Sequence, residues 1–357
     1  KMKNKILVLI SIFFTLIFLE LFFSLFIFNS NNYDYKNRYL LYSGKNVFKN
    51  VDNFFTYYPN KKINAKNYYL KDNKFIEVYN YNIYTNNYGL AQKHNIKKNI
   101  KSLLFLGDSF TEGQGSESWI DRFNGYYKEF QIINGGLLGT GFQQFELIDK
   151  YLNEFNISKV VVIYLGDDLR RDIFQFNDQQ IKCLSNYMNC MGNESFYGMP
   201  SNLNETLNFL NNLKFKKNGI ESQDGISFKK IRRSIKGYIS NLYIVKIPLD
   251  FLRSNFYKSK NEKINRNFES IDRLIKKYGE DIYFINLKMK QEILNRKSSY
   301  ETIYAEDYIK NKTKQHFNCD FDNNLDNFYI NDMHPNKKGY ENLKNCIEEI
   351  LNNQLAN

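Results

Sequence analysis

In "LLFLGDSFTEGQG", Leu103 to Gly115, an apolar run closes on Gly107, Asp108 and Ser109. Glycine permits a tight turn, and a helix starting here would present free N–H groups and its positive dipole end beside the serine. A serine so placed can act as a nucleophile, and its own N–H can face a developing oxyanion. Such chemistry also requires a base and an acid to orient it. The chain has three histidines, His94, His316 and His334. Only His334, in "YINDMHPNKKGY", has an acid two residues before it, Asp332, and a P-N-x-x-G turn after it. A neutral imidazole can take a serine proton, and a carboxylate behind it fixes the tautomer. Two more stretches follow strand-like runs: "NGGLLGTGFQQ" from Asn134, and "VVVIYLGDDLRRD", which brings Gly166, Asp167 and Asp168 to a strand end. The glycines of the first let a backbone approach a substrate closely. They do not satisfy G-x-G-x-x-G in any register, which argues against a dinucleotide site.

The elements that must hold these residues alternate. "SLLFLG", "FQIIN", "KVVVIYLG" and "DIYFINLK" read as strands, the third apolar and β-branched as expected when both faces are buried. Gln143 to Phe155, "IDRLIKKYG" and the closing "NKKGYENLKNCIEEILNNQL" read as helices. Alternation of this kind predicts an α/β fold, a three-layer sandwich around a mostly parallel sheet with ligands at the carboxyl ends of its strands. Residues 30–98 are polar and Asn/Tyr/Lys-rich, and predict a stalk with short strands leading into a domain over 99–357. An insertion spans about 172–260. Its "KKIRRSIKGYISNLYIVKI" places Ile231, Ile235, Ile239 and Leu242 near helical spacing among basic residues. A cap helix with a solvated basic face is favoured over a membrane-surface helix. The acidic "CDFDNNLDN" lacks the glycine and terminal glutamate of a calcium loop and reads as solvated.

At the N-terminus Ile6 to Phe28 is apolar or small except for Glu20. As a helix this run of 23 residues would span roughly 35 Å, enough to cross a bilayer. It ends without an A-x-A-like site, so residues 1–29 are expected to be an uncleaved anchor rather than a signal peptide. Lys1, Lys3 and Lys5 precede it, which favours a cytoplasmic N-terminus and an exported remainder. Glu20 is costly in lipid, and either contacts a membrane partner or snorkels. Cys183, Cys190, Cys319 and Cys346 suit an exported chain able to form disulfides, and none has C-x-x-C spacing. The net charge of +12 accompanies heavy use of Lys and Asn. No zinc-finger, RNP-type or basic-region pattern occurs, so a nucleic-acid module is excluded.

Taken together, "GDSFTEG", "NGGLLG", "GDD" and "DMHPN" resemble, in order and context, the blocks of the SGNH (GDSL-type) hydrolase superfamily. "YTNNYGLAQ" ahead of the first block, with the anchor, is similar to its membrane-anchored bacterial branch. The resemblance covers about 99–352 and implies a flavodoxin-like sheet with Ser109 as nucleophile, His334 as base and Asp332 as its partner. It implies an oxyanion hole from Ser109, Gly136 and the third-block position, here Asp167 or Asp168 where the family carries asparagine. A carboxylate there would repel an oxyanion unless protonated or turned away, and pairing of Asp167 with Arg170 or Arg171 is the expected escape. The acid also stands two residues before the histidine, where many members have it three before, at Asn331 here. That spacing resembles acetyltransferase relatives that decorate exported polysaccharides. The resemblance therefore implies an esterase removing O-acyl, chiefly acetyl, groups from a cell-envelope glycan, with no metal or diffusible cofactor. An O-acetyltransferase and a catalytically silent glycan-binding protein are the alternatives. The expected partners are an acylated carbohydrate and the inner membrane, with the catalytic domain on its extracytoplasmic side.

Overall fold

A computed structural model of the chain describes residues 37–223, 262–295, 298–320 and 324–355, with positions 11, 14–18 and 20. The expected anchor lies mostly outside that set, as does the basic stretch around Ile231 to Leu242. The described positions of the anchor are helical, and among the described residues no helix is long and apolar enough to cross a membrane. Everything that positions the site belongs to one unit, Asp34–Lys217 with Glu262–Asn357.

Residues 38–84 form β1 (Arg38–Tyr42), β2 (Phe48–Val51), β3 (Phe54–Tyr57), β4 (Lys62–Lys71) and β5 (Lys74–Tyr84). At 10 and 11 residues, β4 and β5 are longer than the short strands expected of a stalk. They are joined by Asp72 and Asn73, both at positive φ, the backbone of a tight hairpin that these two residue types tolerate. Period-two alternation buries Ile63, Ala65, Tyr79, Tyr81 and Ile83 on one face, which joins the main core cluster.

From there strands and helices alternate. β6 (Ser102–Gly107), α1 (Ser109–Glu112), β7 (Gln131–Gly136), α2 (Phe142–Tyr151) and β8 (Ile157–Tyr164) come first. The insertion supplies α3 (Asp178–Ser185), β9 (Phe196–Gly198) and α4 (Leu203–Gln223). The chain resumes with α5 (Glu262–Tyr278), β10 (Ile282–Leu287), α6 (Lys290–Asn295), α7 (Tyr300–Lys310), β11 (His316–Cys319) and α8 (Lys337–Leu355).

The main sheet has the order β11-β10-β8-β6-β7, parallel throughout. Alternate residues of its strands point into two cores. Leu104, Leu106, Val160, Val162, Ile282 and Phe284 pack with Phe145 and Ile148 of α2 and Ile271 and Leu274 of α5. Leu103, Phe105, Val161, Ile163, Tyr283 and Ile285 pack with Tyr340, Leu343 and Ile347 of α8 and with Trp119. Helices on both faces of a parallel sheet make the three-layer α/β sandwich. The order reverses between β6 and β8, and such a switch point leaves a crevice beyond the strands' carboxyl ends. Ser109 begins α1 at the end of β6.

The second sheet runs β5-β4-β1-β9, so the insertion returns a strand to pair in parallel with β1. Both cysteine pairs form disulfides. Cys183–Cys190 ties α3 to the segment before β9, and Cys319–Cys346 ties the end of β11 to α8.

Candidate active site

The ends of β6 and the loop before α8 bring Ser109 and His334 together. Ser109 Oγ lies 2.8 Å from His334 Nε2, and His334 Nδ1 bonds Asp332 Oδ1. Asp332 Oδ1 also accepts the His334 backbone N–H at 3.0 Å, which closes the two-residue spacing into a tight loop. All three side chains are buried. Burial alone would raise the Asp332 carboxyl, but the charges of Arg38 and His334 and the bonds from His334 hold it well below the usual carboxylate range. An ionised carboxylate only accepts, so Nδ1 carries the imidazole proton and Nε2 is left to accept from the Ser109 hydroxyl. The Phe110 ring packs 5.3 Å from the imidazole, centroid to centroid, and limits its rotation.

Asp332 is held from the other sheet. Asn67 Nδ2 on β4 donates to its Oδ2 at 2.7 Å, and Arg38 Nε on β1 lies 3.4 Å from the same oxygen. Lys290 Nζ on α6 donates to the carbonyls of Ile330 at 2.9 Å and Asp332 at 3.0 Å, which fixes the loop backbone. Sequence reasoning missed all three. Arg38 and Asn67 both lie in the Asn/Tyr/Lys-rich stretch of residues 30–98, which offers no distinguishing pattern.

Asp108 caps α1, its Oδ1 accepting the Phe110 N–H at 2.9 Å. Its other oxygen pairs with Arg171 Nη1 at 2.9 Å, and Arg171 also reaches the Thr140 carbonyl and Asp168. Burial and the neighbouring Asp108 charge push the Asp168 carboxyl well above its usual range, against the pull of Arg171. Asp167 behaves differently. It bonds Arg170 and lies 3.5 Å from Arg171, and these guanidinium charges outweigh burial and hold its carboxyl below the ordinary value. Asp167, one of the two candidates for the third-block position, is thus ionised and paired. Because its charge is already matched, Asp167→Asn is expected to change ester turnover less than about tenfold, against the ~100-fold or more that a new oxyanion donor would supply. Steady-state kinetics on a small ester checks this.

Gly136, expected to donate to the oxyanion, has another partner: its N–H goes to Asn134 Oδ1 at 2.9 Å. A Cβ at Gly136 would meet Glu112 N at 2.3 Å, so glycine is required there by the close passage of the loop over α1. Asn134 is itself held by Gln92, whose Oε1 accepts its N–H at 2.9 Å, which gives "YTNNYGLAQ" a place behind this loop. The glycine of the same run that lines the cavity with Ser109 is Gly139, at φ +71°. Neither the Gly139 nor the Ser109 N–H has an acceptor among the described residues.

Under that loop lies Glu112, buried, with Oε2 accepting the Leu138 N–H at 2.7 Å and Oε1 accepting the Tyr57 hydroxyl at 2.7 Å. Burial pushes its carboxyl up to about 8 in spite of both bonds. A raised value means that the folded state keeps a proton the unfolded chain gives up. The stabilising contribution is full below the ordinary 4.5 and is lost as pH rises towards about 8. Glu112→Gln keeps the shape without the titration. Its melting temperature is expected to fall less than that of the wild type between about pH 5 and about pH 8, as calorimetry can measure.

Ser109 and His334 open on a cavity of about 330 Å³. Leu138, Phe196, Met289 and Met333 give it apolar walls, and Gln114, Gln291, Arg38, Arg170 and Arg171 give it polar ones. Of the remaining histidines, His316 bonds the Tyr164 hydroxyl at 2.8 Å, on β11. Comparison with models of protein families finds no match, and neither does comparison with curated proteins.

Proposed function

We propose that this chain is a serine ester hydrolase of the SGNH type that removes O-acyl, chiefly acetyl, groups from a cell-envelope glycan. The observation that carries the reading is the Ser109–His334–Asp332 hydrogen-bond chain at the wall of the cavity. A second support is the strand order. Numbered along the chain, the parallel strands lie 2-1-3-4-5, the flavodoxin-like arrangement, with the serine at its switch point.

In this mechanism His334 Nε2 takes the Ser109 proton as Oγ attacks the ester carbonyl. The tetrahedral oxyanion is held by the N–H groups of Ser109 and Gly139, and Gly139 replaces Gly136 in that role. His334 then returns the proton to the departing sugar oxygen, leaving an acyl-serine. Water, deprotonated by His334, attacks that ester, and collapse of the second intermediate frees the carboxylic acid and Ser109. A sugar hydroxyl in place of water would make the same acyl-serine an O-acetyltransferase, a reading favoured by the two-residue spacing of Asp332 and His334. Both disulfides suit an oxidising compartment, which supports a unit exported across the inner membrane and anchored there by residues 1–29.

Incubation of the soluble unit with an activated acetyl ester, followed by mass spectrometry, tests the reading. An acetyl group on the peptide containing Ser109, absent from Ser109→Ala, is expected. Its absence at short quench times would leave a binding protein as the better account. The acceptor that clears the acetyl group, water or sugar, separates hydrolase from transferase.

A further inference from the structure

Every carboxylate of a Ser-His-acid system must orient its histidine, but this one is also neutralised from outside the sheet that carries the serine. Asp332 Oδ1 is committed to His334 through Nδ1 and the backbone N–H, while Oδ2 faces Asn67 Nδ2 at 2.7 Å and Arg38 Nε at 3.4 Å. The guanidinium does not reach this position by chance rotation, since its Nη2 donates to the Tyr79 hydroxyl at 3.0 Å, and Tyr79 accepts in turn from Gln114 at 2.6 Å. Arg38 begins β1 and Asn67 lies on β4 where the register of β4 with β5 shifts. Two strands thus converge on one carboxylate oxygen.

We propose that Arg38 sets the proton affinity of the His334 base through Asp332. It acts as a positioning residue, with Asn67 holding the carboxylate in register, and the second sheet is thereby part of the site. The proposal rests on the reading of His334 as the base. The physical argument is one of charge. A carboxylate without a second partner favours the protonated form of an imidazole beside it, and a protonated ring cannot accept a proton. A fixed guanidinium beside Oδ2 cancels part of that pull while leaving Oδ1 to hold the tautomer. Among the described residues, the other charged or titratable groups facing the pair are Lys290, bonded to main-chain carbonyls of the loop, Asp108 beside Ser109, and the Tyr329 hydroxyl. Asp108 is matched by Arg171, Lys290 is committed to the loop carbonyls, and Tyr329 donates to the Gly115 carbonyl. Arg38 is the charge in contact with the Asp332 carboxylate itself.

The test is a titration of the His334 ring protons by NMR in the resting protein, with the resonance assigned from His334→Gln. It needs no substrate. Arg38→Gln is expected to move the midpoint to higher pH by about half a unit or more, while Arg38→Lys stays closer to the wild type. Arg38→Met, similar in volume, repeats the measurement should the glutamine variant not fold. A midpoint unchanged in the neutral variants overturns the proposal, and shows Arg38 to be a packing residue. Acetyl labelling of Ser109 is read separately. A shifted midpoint without labelling sinks the esterase reading alone, and labelling without a shift sinks this inference alone.

Discussion

Ser109→Ala is expected to lower ester turnover by roughly 10³- to 10⁶-fold, with KM little changed. In the proposed mechanism the Oγ is the atom that forms the bond, so no neighbouring group can substitute for it. The residual rate comes from what the variant keeps: the N–H groups of residues 109 and 139 and the cavity walls. The fold is not expected to notice the change. Ser109 sits at the first position of α1, where alanine is a good helix former, and among the described residues its hydroxyl meets only His334 at 2.8 Å and Asp108 at 3.4 Å. The cap of α1 is provided by Asp108, which the substitution leaves intact. Melting temperatures of variant and wild type should therefore agree within about 2 °C, since the change removes no buried apolar volume. Turnover in the variant equal to that of the wild type removes Ser109 from the chemistry.

Ser109 is legible in the sequence because it stands at the end of a buried strand. β6, β10 and the last five residues of β8 are buried on both faces, and so appear as apolar runs that stop abruptly. His334 could be chosen among three histidines because its acid and its turn are local. What was not legible depends on distant segments. β11 is four residues at the sheet edge, "HFNC", with mostly half-exposed side chains and no apolar run to announce it. Gly136 and Gly139 are both glycines of one loop, and which N–H is left for a ligand is decided by the Asn134 side chain folding back onto Gly136. Asn67 meets Asp332 across 265 positions of sequence, and no local pattern reports such a contact. Glu112 stood in plain view within "GDSFTEG", but its carboxyl matters only because Tyr57 and Leu138 close over it.

Replacing Asp332 by asparagine tests the orienting role with little change of shape. The amide can sit in two ways. With its oxygen towards His334, it could accept the Nδ1 proton, but its NH₂ would then confront the donors of Asn67 and Arg38 in a buried site. Turned over, its oxygen accepts from Asn67 beside the Arg38 guanidinium, and its NH₂ faces Nδ1 and the His334 backbone N–H. The second arrangement leaves the His334 backbone N–H without its acceptor, at about 1–3 kcal/mol, but it keeps the Asn67 bond and turns the NH₂ away from the Arg38 guanidinium, and is the one expected. It leaves Nδ1 as an acceptor and moves the imidazole proton to Nε2, where Ser109 needs a lone pair. Asp332→Asn is therefore expected to lower kcat by about 10³- to 10⁴-fold, with KM little changed. The same substitution alters the acid limb of stability. The wild-type carboxyl is held below its ordinary 3.8, so the stability it contributes is present above that value and lost as pH falls below it. The variant has no such group to protonate, and its melting temperature should decline less steeply on acidification below about pH 4. Kinetics at fixed pH and calorimetry across the acid range measure the two effects independently. A kcat within tenfold of the wild type would mean that His334 keeps its tautomer without the carboxylate, and Asp332 would then be a structural anchor for the loop and not the orienting acid.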